Sequence, residues 1–347
     1  GDTWQVVVRR GTALDSNDPP ELLLAGEEEG ALEDARGTIR SGKLAGRTMW
    51  SAIWILALPV LLQQTMAALV GMVDKLLAGN LPESVVLAGL DAIGVGSYVG
   101  WLIGICMTGV GIGGQAIIAR AMGRGNLVEA RQALGQSLVL AFLWGGAVGM
   151  MMWLLAEPLA RYCSLGPDAI DFCRQYVRTV AVSMPLCGVM MVGSMCLHGA
   201  GETVRPSAIA IGVNLVNIVA SWLISGVTLS LGEYQLEGVL PVDPARWGVV
   251  GIAAGTAISY TFGAVMIVVI LLRGVKDLHL DRSEVRLGRS MTWRIPRLGV
   301  PNFAEGLARW GVTLFVMRFI GDIAEMNAVD GRVQEGLVGS HVIAVQW

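Results

Sequence analysis

The chain has 347 residues, of which 54% are hydrophobic and 15% charged, with a formal net charge of -3 and a mean hydropathy of +0.59. Soluble domains carry about 25% charged residues, so the composition argues against a soluble enzyme, and nothing in it suggests nucleic-acid binding. The 46 glycines suit closely packed membrane helices better than a soluble core.

Residues 1–48 are acidic and Gly-rich, broken by Pro19-Pro20 and carrying EEEG at Glu27–Gly30. Such a segment cannot bury a core and is expected to be a disordered cytoplasmic tail, not a signal peptide. Apolar spans then follow one another: about Ile53–Ala78, Ala92–Ala119, Leu134–Leu155, Val177–Leu197, Ser207–Leu231, Val249–Leu272 and Pro301–Ile320, with an eighth starting near Val338. Crossing a bilayer takes about 20 apolar residues. Gly1 is not an initiator Met and the final run HVIAVQW is still apolar, so we expect a fragment that lacks several C-terminal helices.

Lys and Arg in the short joints orient the spans. Lys43 and Arg47, the group Arg120, Arg124 and Arg131, Arg205, and the basic run Arg273–Arg297 all fall on one side, which places the N-terminus in the cytoplasm. The opposite joints hold fewer basic residues: Arg161, Arg174 and Arg178, then Arg246. The expected organisation is a tail over 1–48, a six-helix transmembrane lobe over 49–273, a basic cytoplasmic linker over 274–296 and the start of a second lobe over 297–347.

Pro59 and Pro185 lie inside spans and predict bends. Small residues recur four apart at Gly96, Gly100 and Gly104, at Gly109 and Gly113, at Gly145 and Gly149, and at Gly251 and Gly255, a spacing that lets helix backbones approach closely. The five cysteines form no CxxC and no cluster with the three histidines, so no metal site is expected. Cys106, Cys187 and Cys196 read as small hydrophobes, whereas Cys163 and Cys173 flank a joint where a disulfide is conceivable.

The first span, IWILALPVLLQQTMAALVGMVDKLL, contains an acid, Asp74, about 13 Å beyond its midpoint. A carboxylate inside a span is costly and usually marks an ion or substrate path. Burial disfavours its charged form, so Asp74 is a candidate to bind and release a proton or a metal cation. The plainer alternative is an interfacial acid whose neighbour Lys75 reaches back to the surface. Gln63 lies three turns before Asp74 on the same face. Asn214, Asn217 and Ser221 make a polar stripe on the fifth span, and Thr256, Ser259 and Tyr260 another on the sixth. In lipid both stripes must turn inward, to bond between helices or to line a cavity. The seventh span echoes the first: Pro59 and Pro301 each precede a glycine by twenty residues and a polar residue, Gln63 or Glu305, by four. Glu305 and Arg309 are spaced as a helix ion pair. Repeated bundles about a midplane site are a common plan for secondary transporters.

Five segments in order carry a resemblance to a known family. LALPVLLQQTMAALVGMVDKLLAGNL, IIARAMGRGNLVEARQALGQSL, LHGAGETVRPSAIAIGVNLVNIVASWLI, GVVGIAAGTAIS and RLGVP resemble the multidrug and toxic compound extrusion (MATE) family of cation-coupled antiporters. The resemblance implies an all-α polytopic membrane protein, the six-helix N-lobe of a two-lobe (6+6) transporter plus the start of the second lobe. It implies H+ or Na+ as the coupling ion with no cofactor, small organic molecules as substrates, a monomer when full length, and the bacterial inner membrane as location. Asp74 falls on the coupling acid of many members, with Asn217 and Thr256 as its polar partners. Ser221 stands where a second acid is often found, and Arg309 about where some members place another. Gln63, Asn214 and Tyr260 are the expected cavity residues. The alternative is a lipid-linked sugar flippase of related fold. An intramembrane enzyme is not expected, since the spans hold no paired nucleophile and base and no GxSxG.

Overall fold

A computed structural model describes residues 46–231, 234–275, 278–280 and 288–326, with the isolated positions 336, 338, 340 and 341. The N-terminal tail proper, the middle of the basic joint and most of the expected eighth span lie outside the described residues. The chain divides into two compact units, Gly1–Pro59 and Val60–Trp347.

In the first unit, helix α1 (Met49–Gly79) begins with the backbone N–H of Ser51 donating to Thr48 Oγ1 at 3.3 Å, an N-cap arrangement. In the second unit, the later residues of α1 expose Leu61, Leu62, Leu69 and Met72, and burial starts near the C-terminal end, at Lys75, Leu77 and Ala78. The unit continues with α2 (Val86–Gly123), α3 (Leu127–Tyr162), α4 (Pro167–Val182), α5 (Met184–Gly199), α6 (Val204–Ser225), α7 (Pro244–Arg273) and α8 (Arg289–Met326). Helices α1, α2, α3, α6 and α7 are each long and apolar enough to cross a membrane, and α4 with α5 makes a sixth span bent by 58°. The chain is a multi-pass membrane protein.

The bend has a local cause. Pro185 has no N–H to donate back up the helix, and the N–H of Ser183 turns instead to Val180 O at 3.0 Å in a tighter turn. The expected fifth span is shorter than Ser207–Leu231, because Gly226 adopts φ +67 and closes α6 at Ser225. The residues beyond form a small antiparallel hairpin, β1 (Leu229–Leu231) with β2 (Tyr234–Leu236), an addition to the all-α expectation. Helix α8 starts at Arg289, so residues 289–296 of the expected linker are helical. It is long, but its charged residues leave it less apolar than the six spans.

Lipid is as apolar as leucine, so helix association depends on close packing and interhelical hydrogen bonds. Three of the four glycine series act this way. A Cβ at Gly145 or Gly149 would meet the backbone of Met184 or Ala181, one at Gly251 or Gly255 the backbone of Ser225 or Ser221, and one at Gly113 the backbone of Ile295. The fourth series does not hold: Gly96 makes room for the ring of Tyr176, but nothing lies within 4 Å of a Cβ at Gly100 or Gly104. Gly299 supplies the tightest crossing of α2 and α8, directly against Gly109.

Helix α8 is also fastened at both ends. Near its start, Arg294 pairs with Glu129 at 2.9 Å and Thr292 Oγ1 donates to Gln136 Oε1 at 3.1 Å. Near its end, Arg318 Nη1 donates to Tyr162 O at 2.8 Å, and Ser164 Oγ donates to Asp322 Oδ1 at 3.1 Å. Between them Trp310 Nε1 donates to Tyr98 O at 3.0 Å.

All five cysteines are buried and free, so Cys163 and Cys173 are not joined.

Candidate functional site

Helices α6 and α7 meet through their small and polar residues. Asn217 Nδ2 donates to Thr256 Oγ1 at 3.0 Å, and Thr256 Oγ1 in turn donates to Ile252 O at 3.3 Å. Ser221 Oγ donates to the same carbonyl at 3.2 Å. Ser259 closes back on Thr256 O at 2.8 Å. The two stripes read from the sequence thus face each other, and Asn217, Ser221, Thr256 and Ser259 are all buried. One acceptor is left over: Asn217 Oδ1 is buried with no hydrogen-bond partner.

Asp74 stands on the last turns of α1. Its Oδ1 is likewise buried without a hydrogen-bond partner. No hydrogen bond joins Asp74 to Asn217 or Thr256 among the described residues. The last turn of α1 reaches α4 and α7 through packing: Leu77, Ala78 and Tyr176 (α4) share one buried cluster, against which Tyr260 (α7) packs. Tyr260 therefore packs near the end of α1 that carries Asp74. Lys75, the next residue in the chain, is buried, only 9% exposed. It does not reach back to the surface as its chemistry allowed. Side chains at adjacent helix positions diverge, yet two charges held out of water need not face each other to interact.

Other expected residues lie apart. Gln63 Oε1 accepts from Ser207 Oγ at 3.4 Å, near the start of α6, so it shares the face of Asp74 but not its surroundings. Asn214 is half-buried and makes no side-chain hydrogen bond among the described residues. Ser221 is spent on helix packing: its hydroxyl is bound to Ile252 O and its backbone lies against Gly255. Glu305 and Arg309 form their i,i+4 ion pair at 2.7 Å, both exposed. Among the described residues, no group of three or more His, Cys, Asp or Glu is arranged to hold a metal ion.

The MatE family model matches residues 59–223, from the last part of α1 through most of α6. The chain is 29% identical over 164 residues to multidrug resistance protein PmpM of Pseudomonas aeruginosa, an alignment covering 47% of this chain and 33% of that protein. It is 23% identical over 261 residues to the probable multidrug resistance protein NorM of Thermotoga maritima, covering 75% and 52%. The fold agrees with a solved inward-facing multidrug resistance MATE family transporter of the MOP superfamily at a TM-score of 0.63, with 19% identity and 82% of this chain and 60% of that chain covered. These comparisons support MATE family membership. It spans between a third and about half of the length of these two curated relatives.

Two residues of this chain escaped the sequence reading. Tyr176 sits in an amphipathic segment with no polar stripe to mark it, and its partner is a gap: Gly96, on another helix, leaves the space its ring fills. Asp91, buried in α2, accepts from the backbone N–H of Gly336 at 2.7 Å. A second intramembrane acid was a legible signal, but it lies close to the start of its helix, where an acid is unremarkable. A cavity of about 980 Å³ opens between α4, α5 and α7, and Asp74 is not among its lining residues.

Proposed function

We propose that this MATE chain forms the ion-coupling half of an exporter that moves amphipathic organic compounds out of the cell in exchange for inward H+ or Na+. The observation that carries the reading is the buried, unpartnered carboxyl oxygen of Asp74. A free acceptor in a low-dielectric site is costly unless something binds there, and the smallest candidates are a proton or a monovalent cation. The leftover acceptor at Asn217 Oδ1 supports the same reading. In the cycle we propose, the ion loads at Asp74 from outside, substrate leaves, and hydration from the inside releases the ion. The relatives' names, both multidrug resistance proteins, support the substrate class. In this proposal the protein sits in the bacterial inner membrane with its N-terminus inside, a reading supported by the Lys and Arg asymmetry of the joints.

The flippase alternative calls for several basic side chains at the site. Among the described residues, Lys75 is the one buried basic side chain.

The test is efflux of a fluorescent organic cation by the full-length protein in proteoliposomes, with a proton gradient or a sodium gradient imposed alone. Export driven by one of them supports the proposal. Export indifferent to both gradients would overturn it.

A further inference from the structure

Helices α4 and α7 leave a groove between them whose lining does not include Asp74. The cavity of about 980 Å³ is lined at one end by Trp153, Gln175, Arg178 and Trp247, and further along by Val182, Leu186, Ala254, Ile258 and Phe262. Because successive spans alternate in direction, α4 and α7 both start from the same side of the membrane, so the polar residues of both mark the same end. From Trp247 to Phe262 the groove follows α7 for about 22 Å, enough to pass from an interface to the midplane of a core about 30 Å thick.

Arg178 gives the groove its character. Its guanidinium lies 5.3 Å from the centroid of the Trp153 ring, and Nε donates to Trp153 O at a long 3.4 Å. Neither contact neutralises the charge. The nearby Arg174 is paired with Asp171 and Glu157, at 2.7 and 3.6 Å, whereas Arg178 has no carboxylate partner among the described residues. Tryptophan rings at membrane depth favour the headgroup level. The groove therefore offers an uncompensated cation at the interface, then an apolar trough.

We propose that this groove binds an anionic glycerophospholipid of the surrounding bilayer, its phosphate at Arg178 and an acyl chain along Val182, Leu186, Ala254 and Ile258. The lining holds one guanidinium and no carboxylate, so an ammonium headgroup would find no anionic partner there. The volume lies at the upper end of small-molecule sites, roughly 300–1,000 Å³, so the open groove has room to seat an acyl chain along its floor. This inference rests on the membrane placement of the helices and not on the transport reading, and the two fail separately.

The experiment is native mass spectrometry of the full chain released from nanodiscs of equal parts phosphatidylglycerol and phosphatidylcholine. The wild type is expected to retain phosphatidylglycerol over phosphatidylcholine by roughly fivefold. Arg178→Gln should bring the ratio to parity, Arg178→Lys should keep part of it, and Ala254→Phe, which fills the trough, should reduce retention of both lipids. Parity in the wild type would mean annular lipid only and overturn the proposal. A preference unchanged in Arg178→Gln, or total lipid retention unchanged in Ala254→Phe, would equally overturn it. Should Arg178→Gln fail to fold, the wild-type ratio and Ala254→Phe decide.

Discussion

Asn217 donates to Thr256 across the α6–α7 seam at 3.0 Å, and the same hydroxyl is anchored to the Ile252 carbonyl. The pair sits where Gly251 and Gly255 bring the two backbones together. Interhelical hydrogen bonds in membranes are worth about 0.6 kcal/mol on average and up to about 1.7. Thr256→Val keeps the shape and removes the acceptor, leaving Asn217 wholly unpartnered. We expect a loss toward the upper end of that range, seen as a lower Tm in detergent by intrinsic fluorescence.

Asp74→Asn mimics the neutral carboxyl and cannot release a proton. In the full-length protein, gradient-driven efflux is expected to collapse while expression and elution profile are unchanged. Lys75 is buried beside Asp74, so Lys75→Gln should also alter efflux, chiefly by changing the pH at which it is half-maximal. Near wild-type export by Asp74→Asn would remove it from the mechanism.

Two glycines that look alike in the sequence should respond differently. A Cβ at Gly100 meets nothing within 4 Å, whereas one at Gly299 would collide with the backbone of Gly109. Gly100→Ala should be neutral or stabilise by up to about 1 kcal/mol through helix propensity. Gly299→Ala must push α8 off α2 and should lower Tm by several degrees. Equal Tm values for the two variants would contradict the packing described.

Ser221→Asp would place a second acid near Asn217, which by family resemblance should favour Na+. The packing predicts a different result. Ser221 is fully buried, lies against Gly255 and spends its hydroxyl on Ile252 O. The larger, charged side chain should therefore destabilise the protein, with reduced yield and Tm, before any change in ion preference appears. Ser221→Ala should cost about 1 kcal/mol or less.

The orientation is open to labelling, helped by the burial of all five native cysteines. With an impermeant thiol reagent on intact cells, Glu237→Cys should react and Arg282→Cys should not. The reverse pattern would invert the topology.

Composition and periodicity were sufficient for the membrane class and the approximate spans, because every backbone group in lipid must be satisfied within its own helix and apolar length alone marks the crossing. They also placed Asp74, Asn217 and Thr256 as the polar residues of interest, since polar groups in apolar runs stand out. Pro185 announced the bend between α4 and α5. What lay beyond reach was determined by neighbours distant in the chain. Whether a glycine stripe is a contact depends on what faces it: Gly255 meets Ser221, and Gly100 meets nothing. The fate of Lys75 and Ser221 turned on how closely other helices approached, and Tyr176 entered the site because Gly96 left room for its ring. Helix identity is a local property of the chain, whereas the partner of a buried polar atom is decided by the crossing of two helices, and only the tertiary structure specifies that crossing.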